Sequence, residues 1–243
     1  MDGLATARLR YPFMSAEQQR SAMRRWSGKL LSILSVVVPA EDRHHPMPPR
    51  CVIVSNHVSW IDIFVLAANY PAVFVAKSEI RRWPLVGWLC QRAGTLFIER
   101  GRSSSAKRTN ETIAAAINGG SLVCIYPEGT TTDGKGLARF HAALFQPAID
   151  SLAIIQPVVL RYRDRQGNYC EAPNFVGETT FVQSLWHITA ARQIVADLQF
   201  LEPLSSAGRD RRVLANEAHS AIAAALALEA DGNPPGKAGG PPA

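Results

Sequence analysis

Residues 51–77 read CVIVSNHVSWIDIFVLAANYPAVFVAK, and this stretch decides the fold. An apolar run, Cys51–Ser55, leads into a polar turn at His57. A helical pattern follows over 60–69, and a second apolar run begins at Val73. Short apolar runs that alternate with helical patterns are typical of an α/β sheet with helices on its faces.

The alternation continues toward the C-terminus and predicts one α/β domain over residues 45–230. The predicted strands are Cys51–Ser55, Val73–Ala76, Thr95–Ile98, Leu122–Tyr126, Ile154–Leu160 and Val195–Leu201. The predicted helices lie near 60–69, 84–92, 104–118, 140–151, 183–193 and 210–229. Pro157 inside an apolar strand predicts an edge or a bulge at that position. The tail 231–243 is rich in Gly and Pro and is predicted to be disordered.

The composition excludes several classes of protein. Of 243 residues, 47% are hydrophobic and 19% are charged, which does not fit a disordered chain, a collagen or a small disulfide scaffold. The four cysteines form no CxxC pair, so they indicate a reducing compartment and no zinc site. Residues 1–13 lack the apolar core of a secretory signal, and no such signal is expected.

The net charge of +6 is concentrated in the first half of the chain. Basic residues outnumber acidic ones by eight to four in residues 1–50 and by eight to two in residues 77–108. Such a surface is typical of proteins that bind anionic lipid, nucleic acid or a phosphorylated substrate, and it is equally typical of an ordinary solvated protein surface. No nucleic-acid motif is present, and the basic residues are not interleaved with aromatic ones, so no nucleic-acid partner is expected.

Residues 1–44 form an N-terminal segment with a predicted amphipathic helix over 14–37. Ser15 and Gln18 have the spacing of a capping box, and an apolar stripe with helical spacing follows. The stripe comprises Met23, Trp26, Leu30, Ile33, Leu34 and Val37, with Arg24, Arg25 and Lys29 beside it. Its longest apolar run is too short for the roughly 20 residues that cross a bilayer. The helix either lies in a membrane interface or packs on the protein's own core.

His57 lies at the predicted carboxyl end of the first strand, where open α/β sheets bind ligands. A neutral imidazole accepts a proton at pH 7, and a carboxylate bonded to its other nitrogen fixes its tautomer. On a continuous helix, five positions would turn Asp62 about 140° away from His57. The two side chains therefore meet only if His57 lies in the loop and Asp62 near the start of the helix. The alternative is an ordinary loop histidine and an acidic residue that favours the first turn of a helix.

Two further polar segments follow predicted strands. The loop 126–134, YPEGTTTDG, offers backbone N–H and hydroxyl donors that suit a phosphate or an oxyanion. Arg100 ends the strand in the segment 94–101, GTLFIERG, and Arg suits bidentate recognition of phosphate or carboxylate. Taken singly, each feature is as well explained by an ordinary turn or a surface arginine.

Taken in order, these segments resemble the glycerolipid acyltransferase family, which includes the bacterial 1-acylglycerol-3-phosphate acyltransferases. The N-H-x-x-x-x-D block of the family is matched by Asn56, His57 and Asp62. The later blocks are matched by Gly94, Phe97, Ile98 and Arg100, by Pro127, Glu128, Gly129 and Thr130, and by the apolar run Ile155–Leu160. The resemblance implies a mixed, mostly parallel sheet flanked by helices, preceded by the N-terminal amphipathic helix.

The resemblance also implies a reaction. A fatty acyl group would move from a thioester of acyl carrier protein or coenzyme A to a hydroxyl of a lysolipid. The implied acceptor is 1-acylglycerol-3-phosphate, which gives phosphatidic acid. His57 would act as general base, Asp62 would orient it, and no metal or other cofactor is needed. The positions that the family associates with acceptor binding are Arg100, Glu128, Gly129 and Thr130.

Two departures from the family pattern bear on the acceptor. Many relatives that act on lysophosphatidic acid have Arg after E-G-T, where this chain has Thr131. Their F-K-x-G segment reads FHAA here, at 140–143. Both changes remove a cation from the surroundings of a phosphomonoester, so lyso-ornithine lipid is the alternative acceptor. Glu128 has an alternative role as well, because its carboxylate could hold the loop by accepting backbone N–H bonds.

A non-catalytic lipid-binding protein is the competing class. The presence of both His57 and Asp62 favours the enzyme. We expect the chain at the cytoplasmic face of the inner membrane, peripheral or weakly anchored. Its expected partners are the lysolipid acceptor, the acyl thioester and the membrane surface.

Overall fold

The computed structural model describes residues 14–82, 87, 90, 95–98 and 103–230. Arg100, most of the predicted helix near 84–92, and the tail 231–243 lie outside the described residues. The helices are α1 (Ala16–Ile33), α2 (Asp62–Asn69), α3 (Ser103–Asn118), α4 (Gln146–Asp150), α5 (Phe181–Ala190) and α6 (Arg211–Ala230). The strands are β1 (Val36–Val37), β2 (Cys51–Ser55), β3 (Val73–Lys77), β4 (Leu96–Ile98), β5 (Val123–Ile125), β6 (Ile154–Arg163), β7 (Ile194–Phe200) and β8 (Leu204–Ser205).

These eight strands form one sheet in the order β1-β7-β6-β2-β5-β3-β4, and β8 pairs with β6. β6 is antiparallel to β7 and β8, whereas the other pairs among the described strands are parallel. The predicted fold class, a mixed and mostly parallel sheet flanked by helices, is therefore confirmed. β1 and β8 were not predicted, because two residues are too few to show a periodicity.

The side chains of the central strands alternate between two apolar clusters, one on each face of the sheet. On β2, Ile53 packs with α1, α2 and α5, whereas Val52 and Val54 pack with α3, α4 and α6. Both faces of β2 are covered by helices, which is why this strand is an unbroken apolar run in the sequence.

The N-terminal helix packs mainly on the protein's own core. Its predicted capping box is present. The buried and half-buried members of the apolar stripe are Met23, Trp26, Leu30 and Leu34. The ring of Trp26 meets Phe64 of α2 edge-on, with centroids 5.2 Å apart. The helix ends earlier than predicted because Ser35 turns the chain with φ of 55°, after which β1 pairs with β7.

Pro157 lies inside the sheet, so the predicted edge position is wrong, and the irregularity of the ladder lies in the segment that faces Pro157. In the antiparallel register Pro157 is opposite Leu201, whose N–H donates to the Pro157 carbonyl at 3.0 Å. Proline has no N–H to return this bond, and Nε2 of Gln156 donates to the Leu201 carbonyl at 2.6 Å instead. The register against β6 shifts by one residue between β7 and β8, because the facing segment 201–203 has one residue more than the stretch 156–157 of β6.

Gln156→Leu is expected to lower the free energy of unfolding by about 1–3 kcal/mol, because the half-buried Leu201 carbonyl loses the donor that the buried Gln156 supplies. Urea unfolding measures this change. Gln166→Leu, at an exposed position of the turn after β6, is the matched control and should stay within about 0.5 kcal/mol of the wild type. Equal unfolding free energies for the two variants would contradict the role given to Gln156.

Candidate active site

The loop between β2 and α2 brings His57 and Asp62 together at the carboxyl end of the sheet. Helix α2 begins at Asp62, and Nδ1 of His57 lies 2.7 Å from Oδ2 of that carboxylate. The backbone N–H groups of Val58 and Ser59 donate to the same oxygen, at 2.7 and 3.0 Å. The spacing required His57 in the loop and Asp62 at the helix start, and the structure has this arrangement.

The carboxylate of Asp62 is fully buried, whereas the side chain of His57 is 19% exposed. The second carboxylate oxygen of Asp62, Oδ1, accepts a hydrogen bond from the Tyr162 hydroxyl at 2.6 Å. A buried carboxylate is tolerated only when donors surround it, and both oxygens of Asp62 have them. Because an ionised carboxylate only accepts, we assign the proton of the imidazole to Nδ1. Nε2 is then the nitrogen that can take up a proton.

Tyr162 reaches the carboxylate because β6 is longer than β2. Ser55, the last residue of β2, is opposite Val158, so residues 159–163 of β6 extend past the end of β2. Asn56 follows β2 and continues the pairing through its side chain. Its Nδ2 donates to the carbonyl of Leu160 at 2.9 Å, and its Oδ1 accepts the Leu160 N–H at 2.8 Å.

A second tyrosine supports the imidazole from one face. The rings of His57 and Tyr126 are stacked, with centroids 4.2 Å apart and planes 17° from parallel. The stacking and the bond to Asp62 together fix the plane of the imidazole. Burial raises the pKa of Tyr126 and of Tyr162 well above the ordinary value, so the Tyr162 hydroxyl keeps the proton that it donates.

Glu128 joins the second polar loop to the first. It is buried, and its two oxygens accept the backbone N–H groups of His57 and of Ala138, each at 2.8 Å. Burial raises the pKa of this carboxyl, and the two backbone bonds oppose the rise. These contacts are the ones expected for the alternative role of Glu128, in which its carboxylate holds the loop by accepting backbone N–H bonds. Gly129 has a φ of 65° and Thr130 is exposed on the same loop, and their contact with an acceptor stays a prediction.

Two threonines connect this loop to its neighbours. The Thr132 N–H donates to the carbonyl of His57 at 2.8 Å, and the Thr131 hydroxyl donates to the carbonyl of Phe175. The Phe175 N–H in turn donates to the carbonyl of Val58 at 3.1 Å. The loop of the His57–Asp62 pair, the loop 126–134 and the segment before α5 are therefore one hydrogen-bonded unit.

Sequence reasoning missed Tyr126 and Tyr162. Alternation along β6 puts Tyr162 on the same face as Leu160, which is the face of α2. This alternation of side chains along β6 could be read from the sequence. The register of β6 against β2, which brings the hydroxyl to Asp62, has no signal in a single sequence.

The described cysteines offer no activated nucleophile. Cys51, Cys90 and Cys124 are buried. Burial raises the pKa of Cys51 to about 12 and that of Cys124 further still. Because the thiolate is the reactive form, these thiols are inert apolar groups of the core, as the sequence indicated for Cys51 and Cys124.

Comparisons with known proteins identify the class. The acyltransferase family model matches residues 38–161. The lyso-ornithine lipid O-acyltransferase of Pseudomonas aeruginosa is 38% identical over 221 residues, which cover 90% of this chain and 84% of that protein. The 1-acyl-sn-glycerol-3-phosphate acyltransferase of Neisseria gonorrhoeae is 37% identical over 191 residues, covering 78% and 74%. The chain belongs to the acyltransferase family, and the family predicted from its motifs is confirmed.

A solved structure confirms the fold independently of these sequences. The crystal structure of the 1-acyl-sn-glycerophosphate acyltransferase PlsC from Thermotoga maritima matches with a TM-score of 0.64. The match covers 93% of this chain and 88% of that one, at 17% sequence identity.

Glu128→Gln is expected to lower the free energy of unfolding by about 1–3 kcal/mol. The amide has the shape of the carboxylate but only one acceptor oxygen, so its NH2 group faces one of the two backbone N–H donors. Urea unfolding measures the loss. Glu178→Gln, at an exposed position, is the control. If both variants unfold like the wild type, Glu128 does not hold the two loops together.

Proposed function

We propose that this acyltransferase moves a fatty acyl group from a thioester of acyl carrier protein or coenzyme A to a hydroxyl of a lysolipid, with His57 as general base. The contact of 2.7 Å between the partly exposed His57 and the buried Asp62 carries the proposal. The acceptor class is supported by two relatives, whose names are those of acyltransferases for lyso-ornithine lipid and for 1-acyl-sn-glycerol-3-phosphate.

The proposed reaction needs one proton shuttle. The acceptor hydroxyl passes its proton to Nε2 of His57 as its oxygen attacks the thioester carbonyl carbon. The tetrahedral intermediate then collapses, the carbon–sulfur bond breaks, and the leaving thiolate takes the proton from the imidazolium. The products are an ester and a free thiol. The acceptor hydroxyl takes the place of the serine in a Ser-His-Asp site, so the scheme contains no acyl-enzyme.

Asp62 balances the charge that His57 gains. The imidazolium forms beside a carboxylate that stays ionised, and the attraction lowers the barrier to proton transfer. The N–H groups of Val58 and Ser59 and the Tyr162 hydroxyl hold this carboxylate in place. These donors are present before the acceptor binds, so little reorganisation is required during the reaction.

Two acceptors fit the proposal. 1-Acylglycerol-3-phosphate, which gives phosphatidic acid, is the acceptor that the motifs imply. Lyso-ornithine lipid is favoured by the loop 126–134, which contains no Lys or Arg to bind a phosphomonoester. In this loop Thr131 stands where the family pattern often has Arg, and its hydroxyl donates to the Phe175 carbonyl.

We also propose that the enzyme acts at the cytoplasmic face of the inner membrane, as a peripheral or weakly anchored protein. A lysolipid in the bilayer and a thioester in the cytosol meet at this surface. Among the described residues, no helix is both long and apolar enough to cross a membrane.

Mass spectrometry of lipid products tests the function, with both thioesters and both acceptors supplied in detergent. His57→Ala is expected to lower kcat about 10²–10⁴-fold, because the general base is lost. His44→Ala, at an exposed histidine, is the matched control. Phosphatidic acid or acylated ornithine lipid as the His57-dependent product assigns the acceptor. An unchanged rate in His57→Ala, or no product from any pair, would overturn the proposal.

Tyr162→Phe is expected to lower kcat about tenfold, equal to about 1.4 kcal/mol of transition-state stabilisation, with little change in KM. The change leaves one oxygen of the buried Asp62 without its donor, so the carboxylate holds the imidazole of His57 less firmly in place. Steady-state kinetics measure kcat and KM separately.

Tyr70→Phe is the control for this variant. Tyr70 is buried in the same apolar cluster, and its hydroxyl donates to the carbonyl of Asp42 at 2.7 Å, away from the His57–Asp62 pair. Both variants lose a buried hydroxyl, so both are expected to lose stability. If both variants lower kcat equally, or neither does, Tyr162 is not a positioning residue.

A further inference from the structure

The outer side of α5 is an exposed apolar surface. Val182 and Trp186 are 74% and 72% exposed, the highest values among the large apolar side chains of the described residues. They are four residues apart and therefore lie on one side of the helix. One exposed apolar side chain is ordinary, but two neighbours that include a tryptophan form a patch that indicates a partner.

The opposite side of α5 is fixed, so the exposure of this patch does not come from a loosely attached helix. Ser184 and Ile188 are fully buried, and a capping box of Thr180 and Gln183 holds the first turn. Nε1 of Trp60 donates to Oγ of Ser184 at 3.0 Å. These contacts direct Val182 and Trp186 outward.

The patch lies close to the catalytic loop. Trp60 belongs to the loop that connects His57 to Asp62, and its ring also contacts Phe181, with centroids 4.9 Å apart. Through this one residue, α5 rests on the loop that contains the general base. A surface that holds α5 therefore also lies next to the catalytic loop.

The charge on this face of the sheet suits an anionic lipid surface. Helix α5 contains no Asp or Glu; the exposed Glu178 precedes it and the exposed Arg192 follows it, so the excess of cations comes from α1. On the same face of the sheet, α1 exposes four cations against one acidic residue: Arg20, Arg24, Arg25 and Lys29 against Glu17. Tryptophan is enriched at membrane–water interfaces, and cations beside an apolar helix surface favour anionic headgroups.

We propose that α5 is the bilayer-docking element of this enzyme. Val182 and Trp186 enter the interface of an anionic membrane, with the cations of α1 and Arg192 on the headgroups. The catalytic loop then lies beside the layer that contains the lysolipid, so this inference rests on the proposed function. The stripe of α1, the sequence's candidate for this role, is instead largely used in core packing.

Flotation with vesicles of phosphatidylglycerol and phosphatidylcholine tests the docking. The double variant Val182→Ser/Trp186→Ser is expected to bind at least tenfold more weakly than the wild type. The control is Leu152→Ser/Val213→Ser, which removes exposed apolar groups from the part of the chain that packs on the other face of the sheet. Equal binding by the wild type and the α5 variant would overturn the proposal.

Two further measurements separate docking from its alternatives. The ratio of activity on vesicle-embedded acceptor to activity on dispersed short-chain acceptor should fall in the α5 variant and not in the control. If sedimentation finds a wild-type dimer that the α5 variant does not form, the patch joins two copies and the docking proposal is wrong. If the wild type turns over no acceptor, the proposed function fails, while the flotation result still decides the role of α5.

Discussion

The buried carboxylate of Asp62 is the group on which the arrangement of this site depends. A charge removed from water must be surrounded by donors, and Asp62 obtains them from its own loop, from His57 and from Tyr162 on β6. Satisfying that charge fixes the turn of the loop, the start of α2 and the orientation of the imidazole together. In the proposed reaction, the same contacts that make the burial tolerable also position His57 to take up a proton.

The sheet next to this site completes its hydrogen bonds with amide side chains. β6 has to continue past β2 to bring Tyr162 to the loop, and the Asn56 amide replaces the missing strand partner at Leu160. Further down the same strand, Gln156 supplies the hydrogen bond that Pro157 cannot make. In both places an amide side chain completes a backbone ladder, because an unpaired polar group inside the sheet would be costly.

The two faces of the sheet have different outer surfaces. One face is covered by α3, α4 and α6, and the other by α1, α2 and α5. The cations of α1 and the exposed Val182 and Trp186 are on the second face, which also holds the loop of His57. In the proposed function, this arrangement places the chemistry on the face that docks on the membrane.

The sequence by itself determined the fold class and the His57–Asp62 pair. Apolar runs and helical patterns are local signals, and the ordered family motifs point to the pair. Its five-residue spacing then requires His57 in the loop and Asp62 at the start of the helix. Only the tertiary structure decided that the Tyr162 hydroxyl completes the hydrogen bonds of the Asp62 carboxylate. The register of β6 against β2, on which this contact depends, is set by packing between segments a hundred residues apart. The tertiary structure also decided which apolar side chains face outward. Trp26 and Trp186 both lie in helical apolar patterns, and the assembled core buries one side chain more than the other.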